Sequence, residues 1–123
     1  MRAALLALTA LTLFAQSAAV QRTVVLRQDV STLNKEAVVA RVEVIPGGYA
    51  GRHTHPGEEI SYVIEGELEL IIDGQQPRTY KAGESFLVPA GAKHNGHNPG
   101  TVPVKFSSVY LIERGAVLTT PAP

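Results

Sequence analysis

The sequence predicts an all-β domain, a sandwich or closed barrel of short strands. Three observations lead there. Runs rich in β-branched residues recur along the chain, Gly and Pro punctuate them at short intervals, and apolar positions alternate instead of following a helical stripe. At 123 residues the chain has length for a single hydrophobic core. It has no cysteine, which excludes disulfides, thiolate ligands and thiol nucleophiles.

The first segment, MRAALLALTALTLFAQSAA (residues 1–19), reads as a signal peptide. A basic Arg2 precedes an uncharged apolar run from Ala3 to Ala15, and Ser17 and Ala19 fit a small-x-small cleavage pattern ending before Val20. The run lacks the amphipathic stripe of a domain's first helix. It is also short for a membrane span, and Thr9 and Thr12 interrupt it. The expectation is an exported domain over residues 20–123, periplasmic or secreted, with no membrane attachment after cleavage. The 11 basic and 11 acidic residues balance, and no basic patch appears, which argues against a nucleic-acid partner.

Strands are expected at Thr23–Leu26, Ala37–Ile45, Ile60–Ile64, Glu67–Ile72, Ser85–Val88 and Val102–Ile112. Turn signals separate them at Pro46-Gly47-Gly48, Pro56-Gly57, Asp73-Gly74, Pro89-Ala90-Gly91 and Asn98-Pro99-Gly100. Asp73-Gly74 is a hairpin signal. Ahead of it Leu68, Leu70 and Ile72 share one face and Glu67 and Glu69 the other, so that strand is half-buried. Val38, Ala40, Val42 and Val44 form an equivalent inner face. In the strand at 60–64, an inward Glu59 carries Ser61 and Val63 inward with it and turns Ile60, Tyr62 and Ile64 outward. Three large apolar side chains need a cover, either a second sheet layer or the partner of a homodimer.

Half of the four histidines crowd into GRHTHPGEE, residues 51–59. His53 and His55 are two apart, so on a strand both rings leave one face. Pro56-Gly57 then turns the chain and lets Glu59 return toward that face. Glu58 is an alternative carboxylate, but it lacks the odd-number parity shared by His53, His55 and Glu59. Further on, the Pro89–Gly91 turn sets the approach of His94. His97, three residues later, falls on the opposite side of an extended strand.

The spacing from Gly47 through His53, His55 and Glu59 to Gly66 is G-x5-HxH-x3-E-x6-G. From Gly83 through Pro89, Gly91 and His94 to Asn98 it is G-x5-PxG-x2-H-x3-N. With sixteen residues between them, the two segments (47–66 and 83–98) resemble the two motifs of the cupin superfamily. The resemblance implies a small double-sheet jelly-roll β-barrel. It also implies that His53, His55, Glu59 and His94 bind one divalent metal, and it selects Glu59 over Glu58. Three neutral imidazoles and one carboxylate leave coordination positions open, which suits Fe, Mn, Ni or Co better than a closed structural zinc site, with Zn as the remaining option.

Two function classes follow. The first is a mononuclear metal enzyme resembling the quercetin-dioxygenase-like cupins, acting on a small metal-chelating substrate, with Glu59 as its general base. The second is a non-catalytic module that binds a small molecule or the metal itself. Arg41, Tyr49, Ser61, Phe86, Phe106 and Tyr110 are candidates to line the cavity. A sugar-phosphate isomerase is a poorer fit, because no cluster of Arg and Lys for a phosphate is visible.

Overall fold

A computed structural model describes residues 18–123. The expected leader falls almost wholly on residues 1–17, outside the described residues. Ten strands follow in chain order. They are β1 (Val20–Asp29), β2 (Lys35–Val44), β3 (His53–Thr54), β4 (Glu58–Glu65), β5 (Glu67–Ile72), β6 (Arg78–Lys81), β7 (Ser85–Val88), β8 (His94–His97), β9 (Val104–Glu113) and β10 (Thr120–Pro121). They form two five-stranded antiparallel sheets, β1-β2-β9-β4-β7 and β10-β3-β8-β5-β6. Their inner faces enclose one core, the layered arrangement of a jelly roll.

Strand periodicity places that core. Val38, Ala40, Val42 and Val44 of β2 are buried, as are Leu68, Leu70 and Ile72 of β5. Val63, Phe86, Val104, Phe106, Tyr110 and Ile112 continue the inner face across β9, β4 and β7 of the first sheet. The β5–β6 hairpin forms, but its ladder closes at Leu70 and Arg78, so Asp73-Gly74 begins a five-residue loop, residues 73–77, and not a two-residue turn. Gly74 still takes the left-handed φ of +80°.

Ile60, Tyr62 and Ile64 do point outward and are 43–55% exposed. The second sheet packs on the opposite face of β4 and leaves them uncovered, which rules out that sheet as their cover.

The turns that carry the site are fixed by specific contacts. Asn98 is fully buried. Its amide donates to the carbonyls of Val44 and Val102 and its side-chain oxygen accepts from the Gly100 N–H, binding three segments together. Gly66 takes φ +79°, and a Cβ there would sit 2.8 Å from the Pro103 carbonyl oxygen. Gly57 is tighter still: a Cβ would lie 1.7 Å from the Leu111 carbonyl oxygen, so only glycine permits β4 to start where it does.

Candidate metal centre

The two sheets meet at the site. His53 on β3 lies directly opposite His94 on β8, and His55 follows immediately after β3. Glu59 comes from the other sheet, where it pairs with Tyr110 on β9 and Val88 on β7. All four side chains are buried, and one ligand atom from each lies within 4.8 Å of the others. Glu58, the alternative carboxylate, is exposed.

Each imidazole is oriented by a backbone carbonyl. The Nδ1 of His53 is 2.5 Å from the Gly51 oxygen, that of His55 is 2.7 Å from Leu118, and that of His94 is 2.9 Å from Ala92. A carbonyl only accepts, so each Nδ1 carries the proton and each neutral ring presents a bare Nε2 lone pair. Those lone pairs converge. The Nε2 atoms of His53 and His55 are 3.1 Å apart, and Glu59 Oε1 lies 3.0 Å from His55 Nε2 and 3.4 Å from His94 Nε2. His94 Nε2 is a buried polar atom with no hydrogen-bond partner among the described residues. Four buried acceptors facing one another repel unless a cation sits between them. The residues present fit a divalent transition metal.

The second oxygen of Glu59 is held separately. Ser61 Oγ donates to Oε2 at 2.8 Å, Ser108 Oγ stands 3.3 Å from the same oxygen, and the two hydroxyls are 2.6 Å apart. Oε1 therefore faces the histidines while Oε2 is anchored behind.

The electrostatics follow from burial and these contacts. Burial by itself raises the Glu59 pKa; positive charge on His55 and His94, which a shared proton supplies when no ion is bound, outweighs it and holds the carboxyl well below the usual range. Burial, then the neighbouring His94, pushes His53 down to about 4, so its ring is neutral at physiological pH. Burial and the Glu59 charge push the Tyr110 phenol up to about 12 and keep it protonated.

Among the side chains expected to line the cavity, Ser61, Phe86, Phe106 and Tyr110 face inward and are buried. Arg41 and Tyr49 are exposed. His97 lies on the outer side of β8, its Nδ1 3.1 Å from Glu69 and its ring stacked on Tyr49 at 4.0 Å, away from the ligands. The sequence reading did not single out Arg22 or Ser108, both of which border the site. The cavity beside the ligands holds about 20 Å³, close to one water position. Its walls are mainly Val42, Leu68, Leu70, Phe86 and Phe106, with Arg22 as its added cation.

Comparison with known proteins agrees with this geometry. The family described as the cupin domain matches residues 40–110, more than half of the sequence, and the chain belongs to that family. It is 40% identical over 79 residues to germin-like protein subfamily 2 member 2 of Arabidopsis thaliana, covering 57% of this chain and 36% of that protein. It is 32% identical over 80 residues to an oxalate-binding protein of Thermotoga maritima, covering 64% and 65%. The chain thus spans little more than a third of the plant relative's length.

Among solved structures, a protein with a double-stranded β-helix domain from Klebsiella pneumoniae superposes with a TM-score of 0.70 at 27% identity, over 89% of each chain. A recombinant oxalate oxidase in complex with glycolate does so with a TM-score of 0.67 at 26% identity, over 84% of this chain and 55% of that one.

Proposed function

We propose that the protein binds one divalent transition metal through His53, His55, Glu59 and His94 and uses it to hold a small metal-chelating organic acid. The observation that carries this is the convergence of three Nε2 lone pairs and Glu59 Oε1 with no donor between them. A bound ion of this kind supplies Lewis acidity and, for Fe or Mn, redox chemistry toward a substrate or dioxygen. The chain's own residues do the rest. The carbonyls of Gly51, Leu118 and Ala92 orient the rings, Ser61 and Ser108 anchor the carboxylate, and the apolar walls exclude water. The oxalate-binding and glycolate-bound relatives support a small acid as guest. A cavity near 20 Å³ leaves no room for a flavonol unless its walls move.

Two readings of that site differ in outcome. As a metal-dependent oxygenase-like enzyme, it would use Glu59 as general base, but the serine pair restrains the carboxylate from swinging toward a substrate. The small cavity and the oxalate-binding relative favour the second, a non-catalytic binding module. Oxygen uptake by Fe- and Mn-loaded protein with oxalate, glycolate and a flavonol separates them. Turnover with any pair establishes an enzyme, whereas tight binding without turnover establishes a binder.

Two further parts of the reading concern context. Export rests on the apolar run and cleavage pattern in residues 1–19. Homodimerisation rests on an aliphatic row across the outer face of the first sheet, where Leu26, Val39, Val109, Ile60 and Leu87 are successive register partners. Light scattering on native protein and Ile60→Glu checks the dimer: a native mass of one chain contradicts it.

A further inference from the structure

We propose that Arg22 completes an anion subsite beside the ion, selecting carboxylate guests over neutral chelators of the same shape. The inference deepens the reading of the site as a metal centre and rests on it. Arg22 belongs to β1, where it pairs with the buried Val42 and so enters the barrel from the inner face. It lines the same cavity as His53, Glu59 and His94. Its Nη1 reaches Thr119 Oγ1 at 3.4 Å, and that hydroxyl lies 3.4 Å from His55 Nδ1. Its positive charge acts on both His53 and Tyr110, which places the guanidinium within electrostatic reach of the ligand rings.

Charge balance then names the guest. Among the described residues, the cavity lining contains one fixed anion, Glu59, and one fixed cation, Arg22, which cancel. A divalent ion leaves the site with two positive charges among Val42, Leu68, Leu70, Phe86 and Phe106. Uncompensated charge in such surroundings is costly, and an anion removes the cost. A carboxylate suits the position, because one oxygen can meet the ion while the planar N–H fork of the guanidinium meets the other.

The test uses Mn(II)-loaded full-length protein, with the electron paramagnetic resonance signal of the ion as readout during titration with glycolate and with its neutral isostere glycolamide. The native protein is expected to bind glycolate at least tenfold more tightly. Arg22→Met should retain its Mn(II) and lose that preference, and Arg22→Lys, which keeps the charge without the fork, should retain part of it. A preference that survives in Arg22→Met, or its absence from the native protein, overturns the proposal. So does loss of the ion from both variants, which would make Arg22 a structural residue. A native protein that takes up no Mn(II), Fe(II), Co(II) or Ni(II) overturns the metal reading itself and is told apart by metal content alone.

Discussion

His53 and His94 are direct register partners across β3 and β8, with ring centroids 4.2 Å apart. A two-residue strand and a four-residue strand thus fix the separation of the two rings by backbone pairing, before any ion is involved. The third ring and the carboxylate are added by the chain leaving β3 and by the opposing sheet. Pairing two imidazoles in this way presets their separation, and a metal bound there would not have to gather them from a flexible chain.

Ser61 fixes the far oxygen of Glu59, so Ser61→Ala should loosen the carboxylate without removing it. Outer partners of metal ligands typically contribute about 10–100-fold in affinity. We expect a loss in that range for the transition metal, together with a stability loss of about 1 kcal/mol from the missing hydrogen bond. Competition with a chelator of known affinity measures the first and denaturant melts the second. An unchanged metal affinity would show that the serine is only packing.

Gly57 tolerates no side chain. The Cβ of Gly57→Ala would sit 1.7 Å from the Leu111 carbonyl oxygen, so β4 and β9 must separate or the turn must move. A destabilisation of about 4 kcal/mol or more is expected, the range of severe backbone clashes. Metal binding should fall with it, because Glu59 begins two residues later. Thermal melts check the outcome, and a variant as stable as the native protein would mean the turn is freer than its contacts indicate.

Acid should destabilise the ion-free protein in a defined window. His53 titrates near 4 in the fold, against an ordinary value of 6.5. Between those values the unfolded chain takes up a proton that the folded chain refuses, so stability rises with pH. The contribution is of order 3 kcal/mol, fully present above about pH 6.5 and lost as pH falls toward 4. The depressed Glu59 acts in the same direction at lower pH. Melting temperatures measured from pH 7.5 to 4 should decline through this window, and a flat profile would contradict the neutral buried ring.

Much of the fold was legible because it rests on a period of two. Leu68, Leu70 and Ile72 alternate cleanly, as do Val38 to Val44, and both sets are buried. That His53, His55, Glu59 and His94 come together was legible from the spacing of the two motifs. What escaped depended on pairing between distant segments. The β1 strand carries a bulge between Val24 and Leu26, so its two halves present opposite parities and Arg22 gives no sign of facing inward. The Leu118 carbonyl that orients His55 lies 63 residues away, in an irregular segment. Strands as short as β3 and β10 carry no periodicity to read.

A shared cation among the rings at 53, 55 and 94 is the premise on which the remaining statements depend. Elemental analysis of protein purified from its native compartment, beside His55→Ala and Glu59→Ala, tests it most directly. One equivalent of Fe, Mn, Ni, Co or Zn in the native chain and a marked loss in both variants is the predicted result. A native chain that neither carries nor takes up any of these ions, or variants that retain a full equivalent, would contradict it.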